Sequence, residues 1–236
     1  MTGSGEPPPP LGSHFPELVR VMAELRAPGG CPWDAEQTHR SLARHLLEEA
    51  HEALAAIDSE DLDGLKDELG DVLLQVVFHS EIAQEEGAFD VDDVTDSLIA
   101  KLVRRHPHVF GDVQVSGADE VLANWEKLKA SEGERSHLEE GIPETLPALA
   151  RAAKVQRRAE ADGRAPLDPS DAAKTARARL DELRKPDRRG DAEETVGDLL
   201  FAIVTLARSA GVDAEGALRR ATSSFSDGTE ADRTLE

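Results

Sequence analysis

The sequence predicts an all-α protein, and three observations carry that reading. Ala, Leu, Glu and Arg, all strong helix formers, dominate its 236 residues. Aromatic residues make up only 3%, tyrosine is absent and alternating β-branched runs are almost missing, which leaves little from which to build a sheet. Apolar residues recur instead at intervals of three and four, the period of a helix with one buried face. At 39% hydrophobic and 32% charged, the chain has the material for a core and fits one globular domain or two small ones.

The elements follow in order. Residues 1–14, rich in Pro and Gly, form a flexible tail with no face to bury. From Phe15, the residues Leu18, Val21, Met22 and Leu25 share one face of a short helix that Pro28, Gly29 and Gly30 end. In the CPWD turn that follows, Trp33 and Asp34 are read as fixing the chain by packing and hydrogen bonds, and Cys31 as a core thiol. Helices are expected from about Ser41 to Ile57 and, after an acidic turn at Asp58 to Asp63, onward to Gly87. Asp90 caps a helix carrying Val94, Leu98, Ile99 and Leu102, which Pro107 stops. A shorter amphipathic segment spans Asp119 to Ala130, and the polar stretch SEGERSHLEEGIPETLP, with two prolines, sets a domain boundary whose linker is placed over residues 133–145. The second domain, 146–224, holds helical patterns at Pro147–Ala161, Asp171–Arg184 and Ala192–Ala210; a polar tail follows and closes the chain over 225–236.

A formal charge of -21 repels a phosphate backbone along any extended contact, which argues against general nucleic-acid or acidic-membrane binding. A small anionic ligand is compatible with such a surface only where metal ions or a basic cluster screen the acids. One cysteine forbids an intrachain disulfide and suits a reducing compartment. The N-terminus has no signal-peptide pattern and no apolar run approaches a membrane span, so the cytoplasm is the expected location.

The chemistry-bearing stretches are LLEEAHEALAAI from Leu46 and LKDELGDVLLQVVF from Leu65. At about 100° per residue, Leu46, Leu47, Ala50, Ala53, Leu54 and Ile57 form one apolar arc with Glu49 and Glu52 on its flank. Leu65, Leu69, Val72, Leu73 and Val76 form another, with Glu68 and Asp71 on the matching flank. If the helices pack antiparallel, four carboxylates converge at one level, where they raise one another's pKa or demand a cation. Oxygen ligands without thiols select a hard ion, magnesium or manganese, and magnesium points to phosphate chemistry. Solvated acid pairs are the bland alternative. A di-iron bundle is another, because Glu48 and His51 match Glu-x-x-His, but the second helix lacks that motif.

Glu48, Glu49 and Glu52 make EExxE, and Glu68 with Asp71 makes ExxD; together with GGCPWDAEQTH, AQEEGAFD, KLVRRHPHVFGD and NWEKLKASE, they resemble the MazG family of nucleoside triphosphate pyrophosphohydrolases. The resemblance covers almost all of Phe15 to Glu132, so the catalytic domain is expected over 15–132. It implies an all-α helical bundle and a homodimer whose subunits complete each site. The implied reaction is magnesium-dependent cleavage of NTP to NMP and pyrophosphate, in nucleotide-pool control or house-cleaning. It places the metal ligands at Glu49, Glu52, Glu68 and Asp71, with Glu48 joining them or orienting the attacking water. Lys101, Arg104, Arg105 and Lys129 are the expected counter-charges for the triphosphate.

LGDVLLQVVF from Leu69 recurs as VGDLLFAIVT from Val196, so a tandem repeat is expected. Its second half is degenerate: Thr195 stands at the glutamate position of ExxD, and Ala178 and Arg179 where paired glutamates belong, while Glu182 and Asp198 remain. The rival function is a non-catalytic helical module that binds nucleotides or a protein partner. Retention of all the acids in one half argues against it.

Overall fold

The computed structural model describes residues 11–117, 120–121, 124–125, 137–165, 168–185 and 192–231. They form ten helices, and no strand occurs among the described residues. The chain divides into two compact units, Met1–Asp112 and Val113–Glu236. Lys129 and most of the segment expected at Asp119–Ala130 lie outside the described residues.

In the first unit α1 (Phe15–Arg26) leads through α2 (Pro32–Glu36) to the long pair α3 (His39–Asp58) and α4 (Leu62–Glu85). Gly30 permits the turn between α1 and α2, because a Cβ there would lie 2.3 Å from the Glu24 carbonyl oxygen. Thr38 and Ser41 make a reciprocal capping box at the start of α3, and Asp61 caps α4 by accepting from the Gly64 amide at 3.0 Å. Only Ser59 to Asp61 separate the long helices, so they pack antiparallel as a hairpin. Asp90 caps α5 (Val91–Arg105), and Pro107 begins a further short helix, α6 (Pro107–Phe110), at the position where its missing N–H costs nothing.

The core of this unit lies where α1 crosses the hairpin: Met22, Leu42, Val77, Phe78 and Ile82 are buried, with Phe15, Leu18, Val19 and Leu74 packed against them. This corrects the expected burial. The arc residues Leu46, Leu47, Leu69, Leu73 and Val76 stay 38–59% exposed, because α1 covers the other side of α4. Cys31 is half-buried at the N-cap of α2, not a core thiol, and Trp33 is 54% exposed with its ring edge-on to His45.

The second unit contains α7 (Ala148–Ala161), α8 (Pro169–Leu183), α9 (Ala192–Ser209) and α10 (Ala214–Ala231). α8 and α9 pack through Ala172, Ala176, Leu199 and Ala202. α10 replaces the start of the expected polar tail. Its signal was present in Asp213, whose carboxylate accepts from the amides of Glu215 and Gly216 at 3.2 and 3.1 Å, and in the helical spacing of Leu218, Ala221 and Phe225.

One device recurs with its charges exchanged. Arg26 of α1 forks onto Glu85 of α4 at 2.8 and 2.6 Å, also donates to the carbonyls of Asp34 and Gln37, and lies over the Phe78 ring. In the second unit Arg208 of α9 forks onto Glu160 of α7 at 3.0 and 2.7 Å. The Arg26 side chain is only 5% exposed whereas Glu85 is 43% exposed, so loss of the cation is the more damaging change. Arg26→Met should cost about 2–3 kcal/mol in urea unfolding and Glu85→Gln about 1 kcal/mol or less. Equal midpoints for Arg26→Met and the unmodified protein would remove Arg26 from this role.

Candidate metal centre

The hairpin sets the register of the acids. Glu52 lies seven residues before Ser59 and Glu68 seven after Asp61, so both stand about 10 Å above the turn. Glu49 and Asp71, one helical turn further on, again share a level. One oxygen from each of Glu49, Glu68 and Asp71 falls within 4.8 Å of the others, and Glu52 lies close enough to Glu68 to repel it. The structure therefore brings together Glu49, Glu52, Glu68 and Asp71. Glu48 turns aside, with its carboxylate 3.1 Å from His45 Nδ1, one helical turn before it. Lys101, Arg104 and Arg105 lie towards the C-terminal end of α5, so the cluster itself is built from α3 and α4 alone.

Electrostatics follow from this crowding. Partial desolvation pushes the Glu49 carboxyl above its ordinary range, and repulsion from Asp71, Glu52, Glu68 and Glu48 adds to it. Glu68 is raised for the same first reason, then by Glu52 and Asp71. Each level of the hairpin thus contains its own repelling pair. A cation held between the levels would relieve this repulsion.

The donor set fits a hard divalent ion. Carboxylate oxygens are the right ligand type, and a separation of up to 4.8 Å is what opposite ligands reach about an ion with metal–oxygen distances of roughly 2.0–2.4 Å. No sulfur or imidazole belongs to the cluster, which makes a thiolate or di-iron centre a poor match.

Comparison with known proteins agrees with this geometry. Residues 37–110, which include all four acids, match the family model of the MazG nucleotide pyrophosphohydrolase domain. The chain is 46% identical over 216 residues to a nucleoside triphosphate pyrophosphohydrolase/pyrophosphatase MazG of Thermotoga maritima, covering 91% of this chain and 83% of that protein. The chain belongs to the MazG family. A nucleoside triphosphate pyrophosphohydrolase of Escherichia coli K12 is 44% identical over 223 residues, 90% of this MazG chain and 84% of the relative. One of Mycobacterium tuberculosis is 45% identical over 154 residues, 64% and 46% of the two chains. Membership makes this MazG protein a nucleoside triphosphate pyrophosphohydrolase, a hydrolase acting on a phosphoric anhydride.

The raised acids and the lowered Glu85 act oppositely on stability. A carboxyl whose pKa is raised on folding binds its proton more tightly when folded, so its penalty is largest at neutral pH and is relieved as pH falls toward the raised value. Glu85, held low by its bonds to Arg26, contributes at neutral pH and loses that contribution as pH falls through its depressed value. In chelator, the MazG protein should therefore gain melting temperature from about pH 7 to pH 5. Glu49→Gln with Glu68→Gln should raise the value at pH 7 and flatten this rise; an unchanged profile would mean that the acids do not repel.

Proposed function

We propose that Glu49, Glu52, Glu68 and Asp71 hold a divalent cation, magnesium with manganese as a substitute, beside which NTP is cleaved to NMP and pyrophosphate. The observation that carries this reading is the convergence of three carboxylates within 4.8 Å, with Glu52 close enough to repel one of them. A bound divalent cation would supply a clamp for phosphate oxygens and neutralise the charge that develops on the leaving group.

The chain's own residues supply position. The antiparallel hairpin holds the acids at fixed heights, so no reorganisation is needed when substrate enters. Glu48, turned toward His45, is assigned to orient the attacking water. Lys101, Arg104 and Arg105 on α5, and Lys129, are assigned to the triphosphate oxygens, for which guanidinium groups give bidentate contacts. The catalytic domain spans 15–132, and the second domain, 146–224, is a diverged copy that serves packing or assembly.

Exposed Leu46, Leu47, Leu69, Leu98 and Ile99 support a homodimer in which a second copy covers apolar surface left open on α3, α4 and α5. The charge of -21 supports a free nucleotide as substrate over an extended nucleic acid. No single helix among the described residues is long and apolar enough to cross a membrane. A cytoplasmic role in nucleotide-pool control or house-cleaning agrees with these features.

Pyrophosphate release from NTPs and dNTPs, followed with NMP by chromatography, should require magnesium or manganese and stop in excess chelator. Glu52→Gln and Glu68→Gln should each lower turnover roughly a hundredfold or more while the far-UV spectrum stays helical. Near-normal rates in both would return the acids to a solvated face.

The two halves are separated by a matched pair of substitutions. Asp71→Asn should lose most activity, whereas Asp198→Asn should stay within a few-fold of the unmodified enzyme. Equal losses, with the oligomeric state unchanged, would assign a working site to the second half.

A further inference from the structure

The second unit repeats the geometry of the acidic hairpin with substitutions that change its electrostatics. Asp168 caps α8 as Thr38 caps α3, and the same spacing then carries Leu42 to Ala172, Glu49 to Arg179 and Glu52 to Glu182. On the partner helices, the shared Gly-Asp carries Glu68 to Thr195, Asp71 to Asp198 and Val77 to Val204. Leu42 and Ala172 are both buried, as are Val77 and Val204, so the two hairpins bury corresponding positions. Arg179 and Asp198 therefore stand opposite each other, as Glu49 and Asp71 do.

Arg179 spans the remaining acids. One terminal nitrogen donates to Glu182 at 3.0 Å and the other to Asp198 at 2.7 Å, tying α8 to α9. The guanidinium has five donors and keeps its charge at any pH at which the protein is folded. With Thr195 in place of a glutamate, the set offers two carboxylates already paired to a fixed cation, which does not fit a divalent metal.

We propose that Arg179 is a built-in counter-ion that replaces the metal in the second hairpin, so that Glu182 and Asp198 are both paired without any ion and this unit cannot offer a triphosphate a metal bridge. The loss of metal ligands is then paired with a gain. Arg179 pairs permanently with both Glu182 and Asp198 and leaves the three groups with one net negative charge, whereas Glu49, at the corresponding position, adds to the repulsion in the first unit. The first hairpin depends on an ion in solution, and the second carries its cation covalently.

The comparison rests on the reading that the first unit's acids hold a cation, and the experiment tests the two claims separately. Bound Mn²⁺ is counted by electron paramagnetic resonance on the full chain, and melting is followed with chelator and with Mn²⁺. Glu49→Gln/Asp71→Asn should lose the bound ion of the unmodified protein, and adding Asp198→Asn should not change the count. In that disabled background, Arg179→Glu/Thr195→Glu should lower the chelated melting temperature by about 2–5 °C, with Mn²⁺ restoring it and one ion appearing per chain. Arg179→Met should lower it in the same direction without gaining a tightly held ion, which guards against a double variant that does not fold. An ion retained by Glu49→Gln/Asp71→Asn and then removed by Asp198→Asn would overturn the proposal, as would unchanged chelated melting in both Arg179 variants. If the unmodified protein and Glu49→Gln/Asp71→Asn bind Mn²⁺ equally, the first-unit reading fails, while the melting comparison still decides the role of Arg179.

Discussion

The first unit depends on one antiparallel register, set by the three residues between α3 and α4. A turn so short leaves the helices no freedom to slide, because capping by Asp61 begins α4 immediately after it. Residues equally distant from the turn then face each other along the hairpin. Leu42 and Phe78 meet in the core at one end, and the two acid pairs meet nearer the turn. A one-residue change in the connection would displace both sets together. The same constraint that builds the core therefore creates the electrostatic problem.

This problem is local and is set against packing elsewhere. Met22, Val77, Phe78 and Ile82 gather at the end of the hairpin away from the turn, and Arg26 holds α1 there through Glu85 and two carbonyls. The acids lie closer to the turn, beside leucines that the chain does not cover. Like charges held together lower the stability of the folded protein, a common cost of prearranging a site for a cation. The second unit reaches a different solution: it keeps the interhelical tie and exchanges the direction of its charge, with Arg208 on the long helix and Glu160 on its neighbour.

Much of the fold was legible because helix signals are local. The start of α3, the cap of α5 and the long apolar repeats of α4 and α9 follow from residues within a turn or two of each other. α10 was missed because its Ser- and Thr-rich sequence reads as polar, although its apolar positions keep helical spacing and Asp213 caps it. Of the candidate site, the acidic cluster of Glu49, Glu68 and Asp71, with Glu52 beside it, could be chosen from spacing on two helices. That Glu48 turns to His45 was a matter of side-chain direction, which identical EExxE spacing does not reveal.

The sequence by itself determined helix identity, the family motifs and the shared level of the four acids, because each depends on spacing along the chain and a short turn. Which apolar face is buried was decided only by tertiary structure. Both sides of α4 are apolar, and the choice fell to α1, whose Met22 packs on the side of Val77 and Phe78 and leaves Leu69, Leu73 and Val76 exposed. Tertiary structure likewise decided what Arg179 does. Sequence marks it as a lost ligand, but only the approach of α8 to α9 puts its guanidinium between Glu182 and Asp198, because ion pairing requires contact in space.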